Sequence, residues 1–249
     1  MRLPTLSKAV AVTAVVLLSL SCNFLEKTVP QAGGTPGAVL PSSTEGISGG
    51  MAEPTDPRVE GTLALRSVQM ELRTVFPGED GNRNLIFIDA AGNQRIETAL
   101  PMSKDPTMTP EPPGWNVYEI FIVNGEAYTR TGKSGSAKPD PEQNDAISEI
   151  LYNPAGPGMW LILLPEESFT SAGKESKGGF TAVKYTVEGS LDTGEIKGEF
   201  WVDEQTGALV RANLSLAESI FDPMDDSAGG WVTIDFKVEK ADVPPISVP

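Results

Sequence analysis

The sequence has no histidine and only one cysteine, Cys22, among its 249 residues. Without histidine the chain cannot build a Ser-His-Asp triad, a Cys-His dyad or a histidine-based zinc site. With one cysteine it cannot form an internal disulfide or an all-cysteine metal site. Most hydrolase and metalloenzyme mechanisms are therefore excluded, and carboxylate, lysine, tyrosine and serine chemistry remains.

Positive charge is also scarce, since 19 lysines and arginines face 34 aspartates and glutamates, for a formal net charge of −15. Nucleic acid and anionic membrane surfaces repel such an excess of negative charge. We therefore expect the folded part to bind no nucleic acid. Hydrophobic residues make up 39% of the chain, which is enough for the core of one domain of ordinary size.

The first 21 residues are typical of a secretory signal peptide. Arg2 and Lys8 form a short basic segment, and Ala9–Leu20 supplies twelve residues without charge. That run is shorter than the roughly 20 apolar residues of a membrane-spanning helix, and it has the length of the apolar part of a signal peptide. We therefore predict that residues 1–21 are removed and that the protein is exported.

Cys22 comes directly after this segment and follows the small residue Ser21. The arrangement resembles the bacterial lipobox, in which the cysteine thiol is diacylated and the chain is cut before it. Ser19 stands where such motifs usually carry leucine. Two acyl chains are enough for stable attachment, so we predict a domain anchored to the cell membrane through Cys22 on its extracytoplasmic side. A plain signal peptide with an incidental cysteine is the alternative.

Residues 23–57 have the composition of a linker. Glycine, proline, serine and threonine occupy 18 of these 35 positions, and apolar periodicity is missing. Such a segment buries too little apolar surface to offset the entropy of ordering it, so residues 22–57 are predicted to form a disordered tether. Its root-mean-square reach as a flexible coil is about 30 Å. A single domain, 58–249, is expected to follow.

The domain reads as strand-rich. Val68, Met70 and Leu72 alternate with polar residues, which is the period of a half-buried strand. Asn124-Gly125 lies between two apolar runs and predicts a hairpin with a type I′ turn. Successive hairpins of this kind predict seven or eight antiparallel strands rather than parallel βαβ units.

Helical patterning is confined to the middle of the domain. Asp140–Gln143 offers an N-cap and a proline at the first helical position, and residues 147–151 place isoleucine and leucine at helical spacing. The apolar run Met159–Leu164 fits a buried strand or a short buried helix, and we favour a helical or loop element. The patterns together predict an α+β fold, in which a curved antiparallel sheet carries a short helical insertion on its concave face.

Three polar segments contain residue types found in known functional motifs, but not at the spacing that those motifs require. The acidic turn FDPMDDS at 221–227 lacks the spacing of a calcium loop, so a solvated turn is favoured. Asp203 and Glu204 are adjacent on a strand and point to opposite faces, which favours a hairpin turn over a catalytic pair. TGKSG at 131–135 lacks the upstream glycine of a phosphate-binding loop. We expect no catalytic residue, no metal ligand, no cofactor and no enzymatic activity.

Apolar side chains exceed what one thin layer between sheet and helices requires. The surplus consists of Trp115, Tyr118, Ile120, Ile122, Met159–Leu164, Trp201 and Trp231. It fits either an ordinary filled core or an apolar cavity between sheet and helices. Composition alone favours the filled core and leaves the cavity open.

The chain presents its elements in a fixed order: a lipobox, a polar tether, an amphipathic strand, a hairpin, a central helical insertion and a final run of strands. Several short motifs are spread over most of residues 60–249. They are Asn124-Gly125 followed by Tyr128, Trp201-Val202-Asp203 followed by Thr206-Gly207 and Leu209-Val210-Arg211, and the end Val243-Pro244-Pro245-Ile246. This order and these motifs resemble the LolA-like lipoproteins, particularly the LppX/LprG group of mycobacterial lipid carriers.

The resemblance implies a strongly curved half-barrel whose helices close its open side over a hydrophobic cavity that carries acyl chains. The insertion here is short and is interrupted by Pro154, Pro157 and Pro165, which predicts a shallower or more open cavity. We therefore expect a carrier of a lipid or another apolar small molecule. A surface interaction or sensor module with an unknown protein partner is the alternative, because one fold serves several roles.

One alternating set of side chains is expected to line the ligand. The sheet contributes Met70, Leu72, Ile120, Ile122, Ile234 and Phe236, and the helical cover contributes Met159, Trp160 and Leu163. Each methylene group buried there contributes about 0.8 kcal/mol to binding. Release requires the cover to move, and Gly156 and Gly158 are the expected hinges.

Overall fold

The computed structural model describes residues 55–78, 81–99, 117–221 and 229–249. These residues belong to one compact unit, Met51–Pro249. Cys22, most of the tether, Trp115 and the greater part of the acidic turn at 221–227 lie outside the described residues. Lipid attachment and the disordered tether therefore stay predictions.

Eleven antiparallel strands form one open sheet in the part of the chain that the structure describes. The strands are β1 (Val68–Val75), β2 (Asn82–Ile88), β3 (Gln94–Ala99), β4 (Val117–Val123), β5 (Glu126–Thr131), β6 (Lys138–Pro139), β7 (Phe169–Lys177), β8 (Phe180–Leu191), β9 (Gly194–Asp203), β10 (Leu209–Ala217) and β11 (Trp231–Lys240). Their spatial order, β6-β5-β4-β3-β2-β1-β11-β10-β9-β8-β7, joins two meanders through the β1–β11 pair. The predicted curved antiparallel sheet is confirmed, with more strands than the seven or eight expected.

The strands that the sequence did not reveal are the two edges of the sheet. β6 has only two residues, and β7 reads FTSAGKESK, with most of its side chains exposed. A strand that is exposed on both faces needs no apolar alternation, so the hydrophobic pattern could not show it. Gly178 and Gly179, at φ 56° and 84°, turn the chain from β7 into β8.

The hairpin predicted at Asn124-Gly125 is confirmed. These two residues have φ of 53° and 82°, the left-handed values that a type I′ turn requires. Directly beyond the turn, Val123 lies opposite Glu126, so the hairpin fixes the register of β4 against β5.

Three seven-residue helices among the described residues pack on one face of the sheet, and we call them together the cover. They are α1 (Pro57–Leu63), α2 (Ala146–Tyr152) and α3 (Pro157–Leu163). The run Met159–Leu164 is mostly helical, as favoured from the sequence, because α3 includes Met159–Leu163. No helix in the described ranges is long and apolar enough to cross a membrane.

Two helix boundaries differ from the sequence-based expectation. Asp56 and Pro57 were assigned to the tether, but Asp56 caps α1 by accepting the Arg58 N–H at 2.8 Å, and Pro57 is the first helical residue. The expected helix start at Asp140–Gln143 is wrong, because Pro141–Gln143 forms a 3-10 turn without a side-chain cap. α2 begins only at Ala146.

The register of the sheet places the six predicted sheet residues on one face. Leu72 lies opposite Phe236, and Thr74 lies opposite Ile234. Met70 lies opposite Ile86 of β2, and Ile86 lies opposite Ile96 of β3. Ile96 in turn lies opposite Ile120 of β4, so Met70 and Ile120 belong to one row across the sheet. Because alternate residues of a strand share a face, Ile122 lies on this face together with Ile120. This is the concave face, on which the cover packs.

Candidate apolar ligand site

The six sheet residues predicted to line a ligand are brought together beneath the cover. Their exposed fractions are 0% for Met70 and Phe236, 1% for Leu72 and Ile234, 4% for Ile120 and 7% for Ile122. Such values leave almost no water-sized space beside these side chains. Of the two readings that the sequence left open, the structure shows the filled core.

Of the three predicted cover residues, the structure brings one fully to the concave face. Trp160 is 3% exposed, and its indole N–H donates to the Pro154 carbonyl at 3.1 Å. Its ring meets Phe221 edge-on at 5.9 Å between centroids. Met159 is half-buried, whereas Leu163 is 52% exposed and lies on the outer side of α3.

The contact between α3 and the sheet is made by apolar side chains. α3 reads PGMWLIL and carries no polar side chain except the indole of Trp160, which donates to the segment between α2 and α3 and not to the sheet. Polar links to the sheet come from neighbouring segments. Thr74 of β1 donates to the Ala155 carbonyl at 2.7 Å, and Thr62 of α1 donates to the Leu209 carbonyl at 2.7 Å.

Gly156 and Gly158 lie where α2 and α3 approach each other most tightly. A Cβ atom at Gly156 would be 2.4 Å from the carbonyl oxygens of Ile150 and Leu151. A Cβ atom at Gly158 would be 2.9 Å from Cδ1 of Tyr152. Close approach therefore explains both glycines, and their role as hinges stays a prediction.

Tyr152 joins the start of the described chain to the cover. Its hydroxyl accepts the Asp56 N–H at 3.0 Å and lies 3.1 Å from Oε1 of Glu60, to which it can donate. Burial, together with the neighbouring carboxylates, raises the pKa of Tyr152 to about 12, so its hydroxyl keeps its proton. The chain thus enters the domain directly against α2.

An aromatic cluster on the same face escaped the sequence-based prediction. Tyr185 and Phe200 stack at 4.9 Å with an angle of 11° between their rings, and Phe169 meets Phe200 edge-on at 5.2 Å. The Arg58 guanidinium of α1 lies 5.2 Å from the centroids of Phe169 and Phe200. It is also paired with Asp56 at 2.5 Å. The cover therefore has an arginine over the aromatic end of the concave face.

The signal for this cluster was present in β9. Ile196 and Phe200 have the same parity, and both are almost fully buried. The next residue, Trp201, points to the convex face, where its indole N–H donates to Glu175 at 2.6 Å. Trp231, 37% exposed, also lies outside the concave core. The apolar surplus is thus divided between the two faces of the sheet.

Two of the three polar patterns, Asp203-Glu204 and the 131–135 loop, take the structural roles that the sequence favoured, and the solvated acidic turn stays a prediction. Asp203 accepts the N–H and the hydroxyl of Thr206 at 2.9 and 2.7 Å, as expected for a turn. Glu204 points elsewhere and pairs with Lys174. Lys133 of the 131–135 loop pairs with Glu97 at 3.2 Å. In the described ranges, no group of three or more His, Cys, Asp or Glu residues is placed to hold a metal ion.

One carboxylate is fully buried on the convex face. The side chain of Glu119 is 0% exposed and pairs with Arg130 at 2.5 Å and with Arg95 at 2.7 Å. Burial alone would raise the pKa of Glu119, but the hydrogen bonds from Arg130 and Arg95 hold it below its ordinary value. With its charge matched by two guanidinium groups, Glu119 is part of a structural network rather than a catalytic site.

Two surface grooves lie away from the cover helices α2 and α3. One, of about 500 Å³, is at the end of the sheet near Leu65, Phe180 and Lys240. The other, of about 180 Å³, lies on the convex side near Leu85 and Lys133. The larger groove is lined in part by the core residues Val68 and Phe180, and neither groove is lined by any of the nine residues predicted to contact a ligand.

No family model matches the sequence, and no curated protein matches it. LprF from Mycobacterium bovis is a similar solved structure, with 14% identity, coverage of 78% of this chain and 92% of LprF, and a TM-score of 0.41. A chain of the Pseudomonas aeruginosa MucA/MucB complex is 14% identical, with 70% of this chain and 52% of that chain covered and a TM-score of 0.31. A LolA superfamily protein from Nitrosomonas europaea is 10% identical, with 75% and 93% covered and a TM-score of 0.26. All three similarities are remote, with identities of 10–14% and TM-scores of 0.26–0.41.

Proposed function

We propose that this protein binds an apolar small molecule, such as the acyl chain of a lipid, between the concave face and the cover. It does so without covalent chemistry, as an exported protein of a bacterial cell envelope that is held at the membrane through Cys22. The ligand replaces α3 against the side chains of the concave face. Arg58, at the aromatic end, is placed to meet a polar head group.

The observation that carries the proposal is the apolar contact between α3 and the sheet. Trp160 and its neighbours Leu161 and Leu164 are 3–5% exposed and touch the sheet without side-chain hydrogen bonds to it. An acyl chain offers the sheet the same kind of surface, since each buried methylene group contributes about 0.8 kcal/mol. Exchange of α3 for an acyl chain therefore breaks no side-chain hydrogen bond between α3 itself and the sheet.

The internal hydrogen bond of Trp160 favours movement of α3 as a unit. Its acceptor, the Pro154 carbonyl, belongs to the segment that leads into α3. Displacement of that segment and α3 together keeps this bond, while the Thr74 bond to the Ala155 carbonyl has to break. Thr74 is 2% exposed, so leaving its hydroxyl unpaired costs about 1–3 kcal/mol, which about four buried methylene groups offset.

A brominated fatty acid tests the site, because bromine quenches tryptophan fluorescence only at short range. Binding beneath the cover should quench Trp160, so the Trp160→Phe variant should lose most of the quenching. Trp201→Phe is the matched control, because Trp201 lies on the convex face, and quenching in this variant should persist. Quenching that is equal in both variants, or absent from the unaltered protein, overturns the proposal.

The alternative, a surface interaction module, is favoured by one observation. Met70 and Phe236 are 0% exposed, so the concave core is already filled without a ligand. If mass spectrometry of organic extracts detects no lipid on the purified protein, and brominated fatty acid does not bind, the interaction module becomes the better account.

A further inference from the structure

The larger of the two surface grooves has an apolar floor and a rim with positive charge. It lies where β1 and β8 begin and β11 ends, and we call it the end groove. Its volume of about 500 Å³ is within the range of small-molecule pockets. The floor is formed by Leu65, Val68 and Phe180, which are 9%, 1% and 3% exposed. A ligand in the end groove would therefore contact the edge of the core without displacing any helix.

The fold holds Lys240 at the rim of the end groove. Its backbone N–H donates to the Gly178 carbonyl at 2.9 Å. Its side chain lies against Gly179, where a Cβ atom would be 3.4 Å from Cβ and Cδ of Lys240. The ammonium lies 4.8 Å from the centroid of the Phe180 ring, and Lys240 forms no ion pair with another described residue. Packing, and not a carboxylate, thus keeps this charge in place.

Arg66, which also lines the end groove, is held in a similar way. One guanidinium nitrogen, Nη1, donates to the carbonyls of Leu63 and Leu65 at 3.2 and 2.8 Å. The guanidinium lies against Gly92, where a Cβ atom would be 2.8 Å from Nε. Among the described residues, Nε and Nη2 have no acceptor and Arg66 has no ion pair. These two nitrogens are therefore available to an acidic group in the end groove.

The two carboxylates that line the end groove leave this positive charge largely unmatched. Asp203 already accepts the N–H and the hydroxyl of Thr206. Asp242 is exposed and pairs with neither Arg66 nor Lys240. The end groove therefore has a local excess of positive charge on a chain whose net charge is −15, and such a site attracts anions.

The backbone next to Arg66 is strained. The φ angle of Ser67 is 52°, in the left-handed region that serine seldom adopts. Its carbonyl accepts the Ala241 N–H at 2.9 Å, and these two residues directly follow Arg66 and Lys240 in the chain. This bond joins the two segments that carry the cations. Strained backbone is concentrated at binding sites, and here it accompanies the residues that line the end groove.

We propose that the end groove binds a small organic anion, a molecule with an apolar body and one carboxylate or similar acidic group. The body lies on the floor of the end groove, and the acidic group lies between Arg66 and Lys240. Because packing already holds both cations, their side chains lose little conformational entropy on binding. This site is separate from the proposed site beneath the cover, since none of the nine residues predicted to contact a ligand lines it.

Three compounds with one apolar body test the charge preference of the end groove. Phenylbutyrate is an anion, phenylbutanol is neutral and phenylbutylamine is a cation. Calorimetry on the chain from residue 22 onward, with Cys22→Ser, should show phenylbutyrate binding about ten-fold more tightly than either of the others. In nuclear magnetic resonance spectra, phenylbutyrate should shift the amide signals of Ser67 and Ala241 and leave that of Gly125 unchanged. No binding of phenylbutyrate, or equal binding of all three compounds, overturns the proposal.

Charge variants at the rim give a second test, and each changes only exposed side chains. Arg66→Gln with Lys240→Gln should weaken phenylbutyrate binding about ten-fold. Lys138→Gln with Lys197→Gln is the matched control, because it removes the same charge from positions that line neither groove, and binding should be unchanged. Asp242→Asn removes the opposing carboxylate and should tighten binding about three-fold. Equal losses in the two double variants, or weaker binding in Asp242→Asn, overturn the proposal.

The outcomes for the end groove and for carriage are distinguishable. Quenching of Trp160 by brominated fatty acid reports the concave core, and it should persist in the chain with Arg66→Gln and Lys240→Gln. Loss of quenching in the unaltered protein, with phenylbutyrate binding intact, contradicts carriage alone. Binding of phenylbutyrate that is lost in Trp160→Phe and kept in Arg66→Gln with Lys240→Gln overturns the end groove as its site.

Discussion

Leu72 in β1 lies directly opposite Phe236 in β11, so the first and the last strand of the domain form the centre of the sheet. Each belongs to a separate meander, and this pair joins the two. Both side chains are almost fully buried on the concave face. The joint between the meanders is therefore also the floor of the candidate site.

We expect Phe236→Ala to lower the free energy of unfolding by about 3–5 kcal/mol, because it leaves a cavity at this joint. Chemical denaturation followed by circular dichroism measures the change. Trp231→Ala is the control on the same strand, and since Trp231 is 37% exposed, a loss of about 1 kcal/mol is expected. Equal losses in the two variants would contradict a core centred on β1 and β11.

Asp89 is expected to hold the C-terminal tail to the sheet. Its carboxylate is 2% exposed and accepts N–H groups from Ala91, Asn93 and Ile246, each at 2.9 Å. Asp89→Ala should cost about 3 kcal/mol by leaving these donors unpaired, and it should speed amide exchange at Ile246. Asp242→Asn, at an exposed position of the tail, should change the stability by less than about 0.5 kcal/mol. Unaltered exchange at Ile246 in Asp89→Ala is the result that contradicts this role.

Glu119 should make stability depend on pH. Its pKa in the folded state is below the ordinary value of 4.5, so the ionised form favours folding at neutral pH, and this contribution is lost as pH falls below about 4.5. Glu119→Gln should therefore lower the free energy of unfolding by about 2–4 kcal/mol at pH 7, and the difference from the unaltered protein should shrink in acid. Denaturation at several pH values measures it, with exposed Glu188→Gln as the control. A difference that is independent of pH contradicts the assigned charge state.

A substitution at Gly156 tests whether this glycine permits close packing of α2 and α3 or acts as a hinge. Gly156→Ala places a methyl group 2.4 Å from two carbonyl oxygens of α2, and a loss of about 1–3 kcal/mol is expected. Pro154→Ala, two residues earlier and exposed, should cost about 1 kcal/mol or less. Unchanged stability combined with slower uptake of fatty acid would instead support the hinge that the sequence suggested.

Local patterns in the sequence predicted much of the fold. The alternation at Val68, Met70 and Leu72 identified β1, and Asn124-Gly125 identified a hairpin, because each signal depends on residues that are neighbours in the chain. β7 was missed because most of its side chains are exposed, so the strand shows no apolar alternation. α1 was missed because its seven residues are too few to show a helical period, although Asp56 and Pro57 were a valid N-cap signal.

The candidate site was predicted only in part. The sheet residues were found because strand parity follows from the alternation of apolar side chains, and the register then brought Leu72 opposite Phe236. The orientation of α3 could not be found in this way, since every side chain of PGMWLIL is apolar and the helix has no polar face to mark its outer side. That is why Leu163 was expected to face inward, while the structure places it outward. Whether the core is filled depends on packing between distant segments, which no local pattern reports.

The central claim, that an acyl chain binds where α3 covers the sheet, is tested most directly by locking the cover. Leu164, directly after α3, reaches Gly189 of β8, where a Cβ atom would lie 3.5 Å from Cγ of Leu164, so Leu164→Cys with Gly189→Cys, in a chain carrying Cys22→Ser, places two thiols at this contact. Thiol titration confirms that the disulfide has closed, and binding of a brominated fatty acid is then measured by tryptophan quenching in the oxidised and reduced forms. We predict binding in the reduced form and its loss in the oxidised form; equal binding in both forms would contradict the account.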